Sequence, residues 1–210
     1  RDQAIVAEDL RRGKAADLAR VAADGAVVFA VCGGYQLAGH GYTAVDGSRM
    51  EGISLLDVDT VAGPTRLIGD LVIAVDFEGE LATVVGFENH AGRTRLGPAA
   101  TPLGTVVSGN GNNGDDGAEG ARQGRIIGTY LHGPLLPKNP WFADRLLAWA
   151  LDHAPGGAVT LEPLDDSLEA LAHNLHWSWM PEIESIFPRI DADLWEDTGH
   201  NPALLLGLVD

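Results

Sequence analysis

Cys32 is the only cysteine of the 210-residue chain, and its neighbours favour a chemical role. It directly follows the apolar run at residues 26–31 and precedes Gly33-Gly34. A strand that turns sharply into a helix here would place the thiol on a nucleophile elbow. The start of the helix would favour thiolate over thiol, and the amide of Gly33 would stabilise an oxyanion. The alternative is a small cysteine buried in the core.

A cysteine nucleophile needs a base within hydrogen-bond reach, and the chain has seven histidines. His132 is the first candidate, because it follows the apolar run 126–131 and precedes Gly133-Pro134. At the end of a strand it would lie on the sheet edge that carries Cys32. His90 also ends a predicted strand and is the rival. The single cysteine and the scattered histidines lack the spacing of a zinc site, so we expect no metal.

The elements around these residues follow the order of an α/β fold. Residues 2–23 carry apolar side chains at helical spacing and end at Asp24-Gly25. Residues 26–31 are a continuous run rich in β-branched side chains, which is typical of a strand buried on both faces. The glycine pair then leads into a second helix. This succession of helix, strand, glycine turn and helix predicts a parallel sheet.

The middle of the chain predicts four more strands, over residues 71–76, 81–87, 104–107 and 125–130. Residues 110–120, NGNNGDDGAEG, have no apolar period and predict a loop. Asn139 and Pro140 predict the start of a helix, with Asn as the N-cap and Pro at the first position. The buried face of that helix would carry Trp141, Phe142, Leu146, Leu147 and Ala150.

Composition limits the class of protein. Apolar residues make up 45% of the chain, enough for one domain with a sizeable core. The formal net charge of −16 argues against a nucleic-acid groove or an anionic membrane surface as partner. No apolar run has the length of a spanning helix, and no leading segment has the pattern of a signal peptide. One cysteine excludes an intramolecular disulfide and fits the cytoplasm.

A boundary is predicted near residue 155, within the breaker cluster APGGA at 154–158. Residues 1–160 carry 13 basic and 19 acidic side chains, whereas residues 161–210 carry one and 11. The predicted organisation is a domain over 1–153, a linker over 154–163 and an acidic helical segment over 164–210. Four apolar side chains would share one face of a helix in that segment: Leu168, Leu171, Leu175 and Trp179.

Three motifs occur in the order of a known family: VCGGYQL at 31–37, GFENHAGRT at 86–94 and GTYLHGP at 128–134. With Lys138-Asn139-Pro140 after them, they resemble the class I glutamine amidotransferases of the cobyric-acid-synthase type. Within that family they look most like the amidotransferase subunits of lipid II isoglutaminyl synthases. The resemblance covers residues 1–153 and implies a three-layer α/β fold, with a mostly parallel sheet flanked by helices.

The resemblance implies hydrolysis of glutamine. Cys32 would attack the side-chain amide, and His132 would take the thiol proton and give a proton to the leaving ammonia. Arg66 matches the substrate-binding arginine of the family and would hold the α-carboxylate of glutamine. Gln36 would line the same pocket, and His90 would have a structural role.

The resemblance also implies a partner. Ammonia would pass to a synthetase subunit of the Mur-ligase type, with which this chain would form a heterodimer. That subunit would use ATP and magnesium to activate and amidate the D-glutamate of the peptidoglycan precursor lipid II, and no cofactor is expected in this chain. Two alternatives stay open: a cobyrinate- or cobyric-acid-type amidotransferase, and an inactive amidotransferase-like fragment that only binds a partner.

The chain departs from the family pattern in three places. The family has a further N-terminal portion before the position of Arg1, so the resemblance implies a truncated domain. Pro134 stands where many class I amidotransferases carry the carboxylate that orients the histidine. Residues 164–210 resemble instead the N-terminal start of bacterial α-glucan phosphorylases, whose pyridoxal-phosphate domain is too large for 210 residues.

Overall fold

The computed structural model of the protein describes residues 2–77, 79–154, 156 and 160–178. Its first part is helical over the predicted span but is not one helix. Helices α1 (Asp2–Asp9) and α2 (Ala15–Ala23) are separated by a π-helical segment, Leu10–Lys14, in which Gly13 leaves the helical conformation. Ile5 and Val6, two of the apolar residues at helical spacing, are exposed.

The remaining elements follow in chain order: β1 (Val28–Val31), α3 (Gly33–Ala38), β2 (Gly41–Thr43), β3 (Arg49–Glu51), β4 (Val58–Phe77), β5 (Glu80–Leu96), β6 (Gly104–Ser108), β7 (Ala118–Glu119), β8 (Ala121–Gln123), β9 (Ile126–Thr129), α4 (Leu135–Lys138), α5 (Pro140–His153) and α6 (Ser167–Ser178). The α/β class is therefore confirmed. Within the described residues, every helix is too short or too polar to cross a membrane.

The first sheet joins β1 in parallel to β9, and β9 in antiparallel fashion to β8. The predicted strand at residues 26–31 and the predicted turn into a helix are confirmed. The expected burial of this strand on both faces is wrong, because its residues are only half-buried. β1 is an edge strand of this sheet among the described residues, and the preceding helix α2 buries none of its side chains.

The second sheet is built on a long antiparallel hairpin of β4 and β5. The predicted strands at 71–76 and 81–87 are the end of this hairpin next to its turn, and both strands extend well beyond them. β2 pairs in parallel with β4, whereas β3, β6 and β7 pair in antiparallel fashion. The described sheets are thus mixed rather than mostly parallel, because strands joined by a tight turn must run antiparallel.

The larger of the two core clusters joins the β4–β5 hairpin to α5. The Phe77 ring centroid lies 5.9 Å from that of Phe142 and 5.3 Å from that of Trp149. Phe142 and Leu146 are buried as predicted, but Leu147 is exposed, and Trp149 is buried without having been predicted. Positions i, i+4 and i+7 of a helix share a face, and Phe142, Leu146 and Trp149 have that spacing.

Asn139 precedes α5 but does not cap it through its side chain. Its Oδ1 accepts the Val85 amide at 2.9 Å, and its Nδ2 donates to the carbonyls of Val85 at 2.8 Å and Leu135 at 2.6 Å. The start of the helix at Pro140 is confirmed, while the side-chain cap is wrong. The buried amide of Asn139 instead ties the end of α4 to β5.

Helix α6 lies beyond the predicted linker and contacts β5 through one histidine. His173 Nδ1 donates to the Lys138 carbonyl at 2.9 Å, and its Nε2 lies 2.9 Å from Thr83 Oγ1. Residues up to His176 belong to one compact unit. Leu168 and Leu171, two members of the predicted apolar face, are exposed. Trp179 and residues 155 and 157–159 lie outside the described residues, and the boundary near 155 stays a prediction.

Candidate active site

Cys32 occupies a sharp turn between β1 and α3. Its φ of 52° and ψ of −109° are in a region that side-chain-bearing residues seldom adopt. Backbone hydrogen bonds hold this conformation on both sides. The Cys32 amide donates to the Thr129 carbonyl at 2.9 Å, and the Cys32 carbonyl accepts the Gln36 amide at 3.1 Å. The strained turn is therefore fixed by its neighbours, as at a nucleophile elbow.

The surroundings of the thiol have opposing effects on its acidity. Partial burial raises the pKa of Cys32 above its ordinary value. The Gly33 amide, which donates to the sulfur, and the charge of Arg66 both lower this pKa, but by a smaller amount. The net pKa is raised, so the expected preference for thiolate is wrong. Desolvation outweighs both favourable contacts, and the thiol needs a base to lose its proton.

The parallel pairing of β1 with β9 brings Cys32 and His132 to the same end of the first sheet. Val31 pairs with Thr129, so Cys32 follows this pair by one residue and His132 follows it by three. The sequence predicted this common sheet edge, and the register supplies it. The other histidine candidate, His90, lies on β5 and is buried.

His132 is oriented by the backbone of β5. The carbonyl oxygen of Phe87 accepts the His132 amide at 2.7 Å and lies 3.1 Å from the imidazole Nδ1. A carbonyl only accepts, so Nδ1 carries the proton in this contact, and Nε2 is the nitrogen able to accept one. Pro134 has no carboxylate to orient the histidine. The Phe87 carbonyl performs this orienting role instead.

Arg66 lies in a bulge of β4. Ala62 pairs with Gly92 and Leu67 with His90, so residues 63–66 stand opposite a single residue of β5. Such bulges re-aim side chains. Arg93 secures the bulge, since its Nη2 donates to the Thr65 carbonyl at 2.9 Å.

Asn89 holds the guanidinium of Arg66. Arg66 Nε and Nη2 donate to Asn89 Oδ1 at 2.8 and 2.5 Å, and Nη2 also donates to the Asn89 carbonyl at 2.7 Å. The guanidinium is close enough to Cys32 for its charge to lower the pKa of the thiol. Arg66 thus lies near Cys32, and its substrate-binding role stays a prediction.

Gln36 and His90 belong to a buried polar network behind the Cys32 turn. The Gln36 amide donates to the Tyr130 hydroxyl at 3.1 Å, and Gln36 is only 6% exposed. The ring of His90 stacks on Tyr130 with centroids 3.6 Å apart. Thr94 Oγ1 lies 2.7 Å from the same hydroxyl. The substrate-binding role of Gln36 stays a prediction, while the contacts of His90 fit the structural role expected for it.

Two buried glutamates extend this network. Glu88 accepts the amides of Asn110 and Gly111 at 2.8 and 3.0 Å, and its Oε2 lies 3.5 Å from His90 Nε2. Burial alone would raise the pKa of Glu88, but the contacts from His90 and Asn110 lower it overall.

The second glutamate, Glu119, has the opposite balance. Its Oε1 accepts the Thr129 hydroxyl and the Tyr130 amide, both at 2.7 Å. None of the described residues gives a hydrogen bond to its Oε2. Burial raises the pKa of Glu119 despite the two hydrogen bonds. Burial therefore favours the neutral form of this carboxyl, which lies directly beneath the end of β9 that leads to His132.

Sequence reasoning did not single out Phe87, Glu88, Asn89 or Glu119. A signal for three of them exists in the motif at 86–94, where Glu88 and His90 alternate with Phe87 and Asn89. In a strand this alternation places the side chains of Glu88 and His90 on one face and those of Phe87 and Asn89 on the opposite face. Polar side chains on the buried face of a strand indicate a paired polar network.

A family model for the CobB/CobQ-like glutamine amidotransferase domain matches residues 2–140. The chain belongs to this family, and the resemblance carried by its three motifs is confirmed. A second model, for a protein family of unknown function (DUF3417), matches residues 162–210. The resemblance of that segment to α-glucan phosphorylases stays a prediction.

Curated relatives include the GatD subunits of lipid II isoglutaminyl synthase (glutamine-hydrolyzing) from Staphylococcus aureus (strain N315) and Streptococcus pneumoniae (strain ATCC BAA-255 / R6). They are 41% and 40% identical over 81% and 80% of this chain. The match spans 66% and 64% of their own length. Cobyric acid synthase from Rhodobacter capsulatus is 33% identical over 73% of this chain and 32% of its own length.

A solved structure has the same fold. The crystal structure of a glutamine amidotransferase superposes with a TM-score of 0.53 at 17% identity, covering 70% of this chain and 74% of its own. This likeness confirms the glutamine amidotransferase-like fold predicted from the motifs.

Proposed function

We propose that the chain is a glutaminase subunit that releases ammonia from the side-chain amide of glutamine. The arrangement of Cys32 carries this proposal. A strained turn presents its thiol beside the Gly33 amide, and the β1–β9 register brings His132 to the same sheet end. This is the combination of nucleophile, oxyanion donor and base that acyl transfer requires.

The first half of the reaction forms a thioester. The thiol proton of Cys32 passes to His132 Nε2 while the sulfur attacks the amide carbon of glutamine. The resulting oxyanion accepts a hydrogen bond from the Gly33 amide. The tetrahedral intermediate then expels ammonia, which takes its proton from His132, and a γ-glutamyl thioester remains on Cys32.

Water completes the reaction. His132 Nε2 accepts a proton from the attacking water, the thioester carbon–sulfur bond breaks, and the sulfur recovers its proton from His132. Glutamine and water thus become glutamate and ammonia, and the enzyme returns to its starting state. Arg66 binds the α-carboxylate throughout, so the amide end of the substrate is directed at Cys32.

The acceptor of the ammonia belongs to a partner. Two relatives about 40% identical are named as subunits of a lipid II isoglutaminyl synthase, which supports amidation in peptidoglycan synthesis. We assign this chain a Mur-ligase-type synthetase partner in a cytoplasmic heterodimer. That partner would hold ATP and magnesium, activate the D-glutamate of lipid II and amidate it.

A second candidate is amidation in corrinoid synthesis. Relatives named cobyric acid synthase are 31–34% identical to this chain. The glutaminase chemistry is the same in both cases, so the partner decides between them. Ammonia-dependent amidation of lipid II by the co-purified synthetase supports the first candidate, whereas amidation of a cobyrinic acid substrate supports the second.

Covalent labelling tests the glutaminase proposal directly. The probe is a glutamine analogue with a diazoketone in place of the amide, and the readout is intact mass. Because Cys32 is the only cysteine, a single added mass reports on it. We expect rapid labelling of the native protein that glutamine prevents and that the Cys32→Ser variant loses.

Urea-unfolded protein is the control for that experiment. Equal labelling of native and unfolded protein contradicts the proposal and supports the alternative of an inactive fragment that only binds a partner. Glutamine-dependent ammonia release should likewise disappear in Cys32→Ser. An unchanged rate in this variant would show that Cys32 is not the nucleophile.

A further inference from the structure

We propose that Asn89 is a positioning residue that aims Arg66 at the α-carboxylate of the substrate. This inference rests on the proposed glutaminase function and extends it to substrate selection. Arg66 is exposed and stands in a bulge, a setting in which a long side chain has many rotamers available. An arginine that selects a carboxylate needs a defined orientation, and Asn89 supplies it.

The contacts with Asn89 involve Nε and Nη2 of the guanidinium. Asn89 receives three hydrogen bonds, from Arg66 Nε and Nη2 to its Oδ1 and from Nη2 to its carbonyl, at 2.8, 2.5 and 2.7 Å. The remaining two N–H groups of the guanidinium are those of Nη1. An arginine N–H forms a strong, charge-assisted hydrogen bond to a carboxylate oxygen. Asn89 therefore holds the Nε and Nη2 side of the guanidinium and turns Nη1 toward a ligand.

Asn89 is itself rigidly placed. It pairs with Ile68 across the hairpin, between Glu88 and His90, which are both buried. The Glu88 carboxylate is hydrogen-bonded to the amides of Asn110 and Gly111. The backbone at Asn89 is thus anchored by buried neighbours on both sides, and the side chain of Arg66 inherits that position.

The same strand orients His132. Phe87, whose carbonyl contacts the imidazole, is two residues before Asn89. Residues two apart in a strand are separated by about 7 Å. Arg66, which binds the carboxylate, and His132, the base for the thiol, are therefore both held by one short stretch of β5. The spacing of these two contacts sets the length of amino acid that fits between Arg66 and His132.

Kinetics of the intact protein separate this role from a structural one. We expect Asn89→Ala to raise KM for glutamine about 10- to 100-fold with little change in kcat, because the lost contacts are hydrogen bonds to a charged group. Arg66→Ala should raise KM by a similar factor. Adding Asn89→Ala to the Arg66→Ala variant should have no further effect, since the residue acts through Arg66.

Two electrophiles distinguish the possible outcomes. The diazoketone analogue of glutamine carries the α-carboxylate, whereas iodoacetamide has none. Asn89→Ala should slow labelling of Cys32 by the analogue far more than labelling by iodoacetamide, which depends on Arg66 only through the acidity of the thiol. The matched control is Asn174→Ala on α6, which should label like the unmodified protein with both reagents.

The failure of the glutaminase proposal and the failure of the role of Asn89 would give different labelling results. Unmodified protein with no glutamine-protected labelling contradicts the glutaminase proposal itself. Protected labelling in the unmodified protein with the same rates in Asn89→Ala overturns only the role of Asn89. A variant that slows both reagents equally, or an additive effect in the double variant, shows that Asn89 supports the fold rather than Arg66.

Discussion

His132 Nδ1 and the carbonyl oxygen of Phe87 lie 3.1 Å apart, and the same oxygen accepts the backbone amide of His132. A single main-chain atom of β5 therefore fixes both the position of the residue and the tautomer of its ring. In a Cys–His pair, a third group commonly orients the histidine. Here that group is a carbonyl, which orients the ring without adding a negative charge beside it.

Replacing His132 with asparagine separates its two roles. The asparagine amide retains a donor for the Phe87 carbonyl but has no nitrogen that accepts a proton. We expect glutamine turnover by His132→Asn to fall about 10²- to 10⁴-fold, the usual contribution of a general base. Iodoacetamide labelling at high pH, where the thiol ionises unaided, should persist. Unchanged turnover would mean that another residue is the base.

The charge of Arg66 should be visible in the acidity of Cys32. Because the guanidinium lowers the pKa of this thiol, its removal in Arg66→Ala should shift the pH profile of iodoacetamide labelling toward higher pH. The profile of the unmodified protein should already have its midpoint above 9.0, the ordinary value for this group, since burial raises the pKa overall.

A surface arginine provides the control for that shift. Arg95 also lies on β5, but it is exposed and pairs with Asp115 at 3.4 Å. Arg95→Ala should leave the labelling profile of Cys32 in place. Equal profiles for Arg66→Ala and the unmodified protein would show that the guanidinium does not act on the thiol.

Glu119 and Glu88, the two buried glutamates, should make the free energy of unfolding depend on pH in opposite directions. The raised pKa of Glu119 means that the unfolded chain loses this proton first as pH rises. The free energy of unfolding, relative to that of Glu119→Gln, should therefore fall as the pH rises from the ordinary value of 4.5 through the raised pKa of the folded protein. Urea unfolding at a series of pH values measures it.

Glu88 has the reverse sign. Its pKa is lowered in the folded protein, so its ionised form stabilises the fold above the ordinary value of 4.5. Relative to Glu88→Gln, this stabilisation should be lost as pH falls through the lowered pKa. The same slope for both variants would contradict the opposite directions of the two pKa shifts.

Gly128 should tolerate no side chain. A Cβ there would come within 2.0 Å of the Tyr35 ring, which is fully buried beneath the Cys32 turn. We expect Gly128→Ala to lower the free energy of unfolding by about 1–3 kcal/mol, the usual effect of overpacking, or more. Gly34→Ala is the control, since its Cβ would meet nothing closer than Ala30 at 3.8 Å and alanine favours a helix.

The local sequence determined much of the fold around the nucleophile. The apolar run before Cys32 and the glycines after it predicted the strand, the turn and the helix, and the motifs at 31–37, 86–94 and 128–134 predicted the family. These features depend on neighbours in the chain, whose conformational preferences and polar pattern are written in adjacent residues. The extent of β4 and β5 was missed, because the outer part of β4 contains Gly63, Pro64 and Gly69, and that of β5 contains Asn89 and Gly92, residue types that are depleted in strands.

Only the tertiary structure decided how the site residues are held. His132 is oriented by the backbone carbonyl of Phe87. Because every peptide unit has such a carbonyl, this contact has no sequence signature. Asn89 and Arg66 are 23 positions apart in the sequence. They come into contact because of a bulge in β4, and no local pattern sets the register of that bulge. The pKa of Cys32 is raised although its position at a helix start predicted the opposite, because desolvation depends on what packs around the thiol. Contacts and burial arise from distant segments, so they exist only once the chain has folded.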